Sequence, residues 1–534
     1  MQGINQTQPS SLFSGEGSQD NDQDKDINNK FQIRQNKFTN EENFTQIKEN
    51  TMTNELSLGQ NHRDKIFTKR RLKANYNTEG TKKLKNILQI PLELYQQCDA
   101  MKVNKSQFTE IVTKFNSNNQ LEKYMGLVGI RKLTSLSDNS PIQELIDLDV
   151  TSQLISFLDN YPPEFQYESL WCLINISYNS GEQANNIINK GGIEKIDKIM
   201  DSQITELKEQ AIWLIGNLCG ESNKIRDYLI KNKIYEKILT ILSSSNIESI
   251  IKKGIWTLAN FFRAKPIPSY EVIVKSIKVL AKTLPMFPND SEFLTDICFM
   301  LNAITEKYKD TITDIIDIGI ISGVINCLNV DDDHLKMACL RIIGNIASGN
   351  ANQTQSLIDH GILSHLKVAI YSGKKSIKKE CSWILSNIAA GTQKQIETLI
   401  SENFLPILKD KIEKDEPEIQ KECIWAACNL TSAENPEYLK KILSQGILDI
   451  ICNCLKNLTD AKYLAVCLEA FGNLLAFGKK SNPNGVNPIV EKVDNMGMFE
   501  VLEKLQLHPV EIVYEKILKI LETYFDTQNE YEFH

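Results

Sequence analysis

Ala211-Ile-Trp-Leu-Ile-Gly-Asn217 sets a tryptophan four residues before an asparagine. The same pair returns at Trp171/Asn175, Trp256/Asn260, Trp383/Asn387 and Trp425/Asn429, and these five copies hold every tryptophan of the 534-residue chain. The first three lie 42 and 43 residues apart and the last two 42. Two degenerate copies, Phe299/Ala303 and Arg341/Asn345, keep the step between Trp256 and Trp383, and Glu469/Asn473 gives a weaker last copy. After each motif comes a turn, a helix, and a glycine that opens the next unit, read here as Gly192, Gly319, Gly361 and Gly446. From about residue 80 onward apolar residues recur at i, i+3, i+4 and i+7, with no convincing run of alternating strands.

A helical period of roughly 40–47 residues marks stacked repeats of the armadillo or HEAT kind, in which each unit leaves an apolar face that only its neighbour covers. The expected fold is all-α, a right-handed superhelical solenoid of about ten armadillo repeats. That count includes an earlier unit around 119–160 and a terminal one around 486–525. Residues 1–76 read as a disordered, low-complexity segment rich in Asn, Gln, Ser, Asp and Lys, 77–525 as the solenoid, and 526–534 as a short tail.

Composition narrows the function. Hydrophobic residues make up 41% and charged residues 24%, with a net charge of −8 and a pI near 5.6. Phosphate recognition calls for Lys and Arg, so nucleic acid is not an expected partner, whereas an acidic chain suits basic ones. No apolar stretch reads as long enough to cross a bilayer, and the N-terminus is polar, so neither secretion nor a membrane span is expected. The twelve cysteines form no CxxC framework and read as buried, reduced thiols. The six histidines are scattered without metal-ligand spacing. With no Walker loop, GxSxG elbow or Rossmann glycine pattern, neither catalysis nor a cofactor is expected.

Positions i and i+4 share a helix face, so stacked repeats align indoles beside carboxamides. A lone tryptophan at helical spacing is usually core. Five in one register, each with Asn at i+4, favour a surface that faces a ligand. An Asn amide can hydrogen-bond a peptide backbone whatever its side chains, and indoles form slots for the stems of Lys and Arg, whose charges gain cation–π attraction. Carboxylates at the ends of such slots then select basic residues.

At these residues, and at Leu340-Arg-Ile-Ile-Gly-Asn345 and Cys381-Ser-Trp-Ile-Leu-Ser-Asn387, the chain resembles the importin-α family of nuclear import adaptors over about residues 105–525. Phe115-Asn-Ser-Asn-Asn119 also resembles the family's opening repeat. The resemblance implies two sites for basic nuclear-localisation peptides. The larger comprises Trp171, Asn175, Trp213, Asn217, Glu221, Trp256, Asn260 and Asp296. The smaller comprises Arg341, Asn345, Thr354, Glu380, Trp383, Asn387, Glu422, Trp425 and Asn429. Loss of both motif residues at Phe299/Ala303 separates two grips, an arrangement suited to a bipartite peptide.

The resemblance also implies importin-β as a partner, an export receptor meeting residues 497–525, and shuttling between cytoplasm and nucleus. Several positions depart from the family pattern. Tyr178 and Asn179 stand where Ser and Gly are usual, Ala184 replaces a Thr, and Glu221 replaces an Asp beside the anchoring lysine, so preference at that lysine is expected to change. Of the family's importin-β-binding Arg clusters, Arg63, Lys69, Arg70 and Arg71 remain, while the middle cluster is replaced by residues such as Asn43, Thr45 and Asn50. Weaker importin-β binding and weak self-inhibition are expected. The alternative is an armadillo scaffold that takes other extended peptides without importin-β.

Overall fold

The computed structural model describes residues 91–136, 139–483 and 485–525. The 1–76 segment with Arg63, Lys69, Arg70 and Arg71, and the 526–534 tail, lie outside the described residues. The described residues are helical, without strand, in keeping with a helical solenoid. They fall into two bodies, one of residues 91–346 and 356–365, the other of 347–355 and 366–525.

The first body repeats a three-helix unit. Gly181–Asn189, Gly192–Met200 and Thr205–Glu221 form one copy, and Asn223–Lys231, Ile234–Ser244 and Glu248–Arg263 the next. The third helices stack side by side: Gln120–Thr134 on Pro163–Asn179, then Thr205–Glu221, Glu248–Arg263 and Ser291–Lys307. Their apolar stripes are sealed, with Leu173, Ile212, Ile215, Ile255 and Leu258 all fully buried. Each such side chain contributes about 1.5–3 kcal/mol of burial, which no single unit could obtain alone. In the second body Lys375–Ala389, Pro417–Leu430, Ala461–Ser481 and Glu511–Tyr524 stack in the same way.

The turn between the first and second helices of a unit needs one residue at positive φ. Gly191, Gly319, Gly361 and Gly446 supply it at 76°, 82°, 83° and 88°. The sequence reading placed the first of these at Gly192. In fact Gly191 is the left-handed residue, while Gly192 begins the next helix, where a Cβ would meet Ile187 at 2.8 Å. Asp149, Lys233 and Asn403 take the same backbone conformation at the same step, so the fold imposes the turn even where L-residues resist it. The interrupted unit departs further, because Tyr270–Thr283 runs as one continuous 14-residue helix where its neighbours break into two.

One expectation is corrected here. Ala461–Ser481 is long and apolar enough, by length and composition, to cross a membrane. Half of its apolar window is buried in the protein, it packs between Pro417–Leu430 and Glu511–Tyr524, and its Glu469 pairs with Lys516 at 3.1 Å. Its apolar character is therefore used as repeat core.

Candidate peptide-binding groove

All five tryptophans lie on the third helices of their units, and all five are half-buried while the Leu and Ile beside them are sealed. The indoles are thus rungs on an accessible face. Three already carry a cation of the chain itself: the Arg131 guanidinium lies 4.9 Å from the Trp171 ring, Lys253 Nζ 5.2 Å from Trp213, and Lys462 Nζ 5.6 Å from Trp425. Tyr167 and Tyr463 stand edge-on to Trp171 and Trp425 at 5.8 and 5.9 Å. These cations come from adjoining repeats, and each fixes its ring by cation–π attraction. Lys253 is itself held by Glu209 at 2.9 Å.

Trp256 is positioned differently, lying against Gly216 of the preceding unit. A Cβ there would sit 2.3 Å from the indole Cζ3 and 2.7 Å from Thr257 Oγ1. Glycine at this point of Trp-Leu-Ile-Gly-Asn thus lets adjacent helices approach with an indole between them. Gly216→Ala is expected to destabilise the chain by about 1–3 kcal/mol through overpacking. Urea unfolding would check this, and an unchanged midpoint would show that the indole can move aside.

The asparagines have a role that the sequence reading assigned wholly to a ligand. Asn175, Asn260 and Asn387 are buried, and most of the amides are used between repeats. Asn175 Nδ2 donates to Ser135 Oγ at 2.8 Å, Asn217 Nδ2 to Ser177 Oγ at 3.3 Å, and Asn345 Nδ2 to Thr305 Oγ1 at 3.0 Å. Asn473 Nδ2 likewise reaches Thr431 Oγ1 at 3.2 Å. Except at Ser135, the acceptor is a hydroxyl two residues past the preceding unit's rung. That position holds Cys219 ahead of Asn260, whose Nδ2 turns to the Gly216 carbonyl instead at 3.0 Å. It holds Ala347 and Ala389 ahead of Asn387 and Asn429, and there neither Nδ2 finds a partner among the described residues. A buried amide left so costs about 1–3 kcal/mol until a carbonyl reaches it. Asn387 and Asn429 are therefore the rungs whose amide nitrogens stay unpaired among the described residues, as does the Oδ1 of Asn260, and all three atoms are sealed from solvent.

The carboxylates divide by environment. Glu221 ends Thr205–Glu221 and is half-buried, with Oε2 3.8 Å from where a Cβ would sit on Gly181 at the start of the same unit's first helix. Ala184, on that same helix, is fully buried. Asp296 is 8% exposed, one turn before the half-buried Phe299. In the second body Glu380 and Glu422 are half-buried, and Ser386 Oγ donates to Glu422 Oε2 at 2.9 Å. Arg341, half-buried, and Asn345 belong to the first body, and the other residues of the smaller set to the second. Thr354 differs from the rest. It is fully buried and its hydroxyl donates to the Ala347 and Asn350 carbonyls, so it braces a turn and presents no surface.

Sequence reasoning missed Arg131, Glu168, Lys253 and Lys462. Arg131 and Glu168 form an ion pair with side chains only 7% and 4% exposed. Burial alone disfavours the guanidinium charge, and the Glu168 carboxylate outweighs it. Glu168 lies three residues before Trp171, the position that Glu380 and Glu422 hold before their own tryptophans, so the register carried a signal.

Comparison with known proteins gives a consistent picture. Residues 350–390 match the armadillo/beta-catenin-like repeat, and residues 487–533 match the atypical Arm repeat. The chain is 40% identical over 433 residues to importin subunit alpha-B of Dictyostelium discoideum, covering 80% of this chain and 83% of that one. It is 38% identical over 402 residues to importin subunit alpha-2 of Arabidopsis thaliana, covering 74% of each. It is 34% identical over 424 residues to importin subunit alpha-3 of the same plant, covering 78% of each. Among solved structures, an engineered protein aligns with a TM-score of 0.60 at 22% identity, covering 78% of this chain and 98% of that one, a likeness of fold.

Proposed function

This chain belongs to the importin-α family, and on that footing we propose that it binds basic nuclear-localisation peptides along its Trp/Asn rungs and links them to importin-β. The observation that carries the reading is the half-burial of all five indoles at one repeat position, three of them already facing cations. Rings that hold Arg131, Lys253 and Lys462 on one side have a second face of the same polarity for lysines of a peptide. Glu221 and Asp296 in the first body, and Glu380 and Glu422 in the second, supply the negative charge that selects such residues. The unpaired Nδ2 groups of Asn387 and Asn429 are donors for the carbonyls of an extended backbone once binding shifts the side chains that cover them.

Two clusters of rungs suit two clusters of lysines, the second binding at high effective concentration once the first is held. Glu221 for Asp, with Ala184 for Thr, lengthens the carboxylate reach and removes a hydroxyl at the anchoring lysine, which shifts preference at that one position. Arg63, Lys69, Arg70 and Arg71 provide a reduced charge for importin-β, and the terminal repeat, where Leu507 is 86% exposed, offers apolar surface to an export receptor. The protein then shuttles between cytoplasm and nucleus.

Because the contacts are charge-assisted and partly exposed, peptide affinity is expected to fall severalfold between 50 mM and 300 mM salt. Fluorescence polarisation with a lysine-rich peptide measures this, and salt-independent binding would point to another ligand class. A pull-down on importin-β, with the full chain against one lacking residues 1–76, tests the linkage. Weak, salt-sensitive capture that requires the segment is expected. No capture by either form, with peptide binding intact, would leave a peptide scaffold that acts without importin-β.

A further inference from the structure

Behind the two degenerate rungs, three cysteines far apart in sequence converge. Cys298 lies in Ser291–Lys307, Cys327 ends Ile320–Cys327, and Cys339 lies in Asp333–Ala347. Their sulfurs all fall within 4.8 Å of one another, and Cys298 Sγ is 3.6 Å from Cys339 Sγ. Three thiolates on one ion with bonds of about 2.3 Å sit about 4 Å apart, so the cluster is close to that arrangement without rebuilding. Exposure is 0%, 5% and 0%, and Ile297, Val324, Leu335 and Ile343 on the same helices are fully buried. No sequence spacing announces the group. It is made by three helices meeting in the fold.

Charge decides which ion fits. The ionisable groups that act most strongly on each thiol are the other two, and among the described residues no cation pairs with them to offset excess negative charge. Three thiolates around a divalent ion leave one net charge in an apolar interior, and around a monovalent ion two, at a steep desolvation cost. Around a trivalent ion they leave none. We propose that Cys298, Cys327 and Cys339 form a three-thiolate site for a trivalent thiophilic metalloid, arsenic(III) or antimony(III). Arsenous acid loads by ligand exchange: three S–As bonds form, three As–O bonds break, and the three thiol protons leave with the hydroxyls as three waters, without redox change. Loading ties together helices that carry Asp296, Phe299 and Arg341.

The test is native mass spectrometry of the reduced full chain with sodium arsenite as the probe. One arsenic replacing three hydrogens is expected, with three sulfur neighbours and no oxygen by X-ray absorption. Arsenite is also expected to shield these three thiols from alkylation in peptide maps of wild type, a readout that does not depend on any variant folding. Cys327→Ser is expected to abolish retention, while Cys467→Ser, in the separate group near Cys428 (sulfurs 3.9 Å apart), keeps it. The proposal is overturned if the folded chain retains no arsenic, if shielding falls on other cysteines, or if coordination shows two sulfurs.

Discussion

Replacing Trp213 by alanine is expected to weaken binding of a lysine-rich peptide at least tenfold. Trp213 stands in the middle of the first set of rungs, half-buried between Trp171 and Trp256 in register, with Lys253 5.2 Å from its ring. Truncation removes an aromatic wall shared by adjacent slots and the ring face beside which Lys253 sits. Central aromatic anchors of interfaces commonly cost about 2 kcal/mol or more when truncated, and cation–π attraction at a desolvated site accounts for much of that. Trp383→Ala should act similarly on a bipartite peptide and far less on a single lysine cluster. Titration of both peptides against wild type and the two variants separates these outcomes. If neither substitution moves either affinity, the indoles serve packing alone.

Glu168→Gln is expected to cost about 3–5 kcal/mol locally, the usual consequence of removing one partner from a buried ion pair. Arg131 would keep its charge in a site 7% exposed with no carboxylate to balance it. Since repeats contact mainly their neighbours, the loss should stay in the first units. Hydrogen exchange is expected to show protection falling in Gln120–Thr134 and Pro163–Asn179 while Lys375–Ala389 is unchanged. Replacing both partners by apolar residues, Arg131→Met with Glu168→Leu, should recover most of the stability but not the cation over Trp171. Uniform loss of protection along the chain would contradict this local account.

Much of the architecture was legible because it repeats. One Trp/Asn pair proves little, but five at a 42- or 43-residue step fix helix, period and exposed face together, and Arg341/Asn345 shows the period surviving loss of the tryptophan. What the sequence hid lies between units. The hydroxyl two residues past one rung receives the amide of the next, a relation spread over about forty residues that no local window displays. For that reason the asparagines looked like ligand groups throughout, although among the described rungs Asn387 and Asn429, preceded by Ala347 and Ala389 at the hydroxyl position, are the ones whose Nδ2 stays unpaired. The left-handed turns at Asp149, Lys233 and Asn403 were hidden likewise, because residue preference alone does not mark them. Thr354 stood in a matching position, yet the fold buries it.

The central claim is that the rung-bearing face holds an extended basic peptide. Its most direct test is a fluorescence titration of the full chain with a bipartite lysine-rich peptide, run beside the same peptide with its lysines replaced by alanine. The account predicts saturable binding at micromolar or lower concentration for the basic peptide and none for its alanine counterpart. Equal binding of both, or no binding of either across the micromolar range, would contradict it.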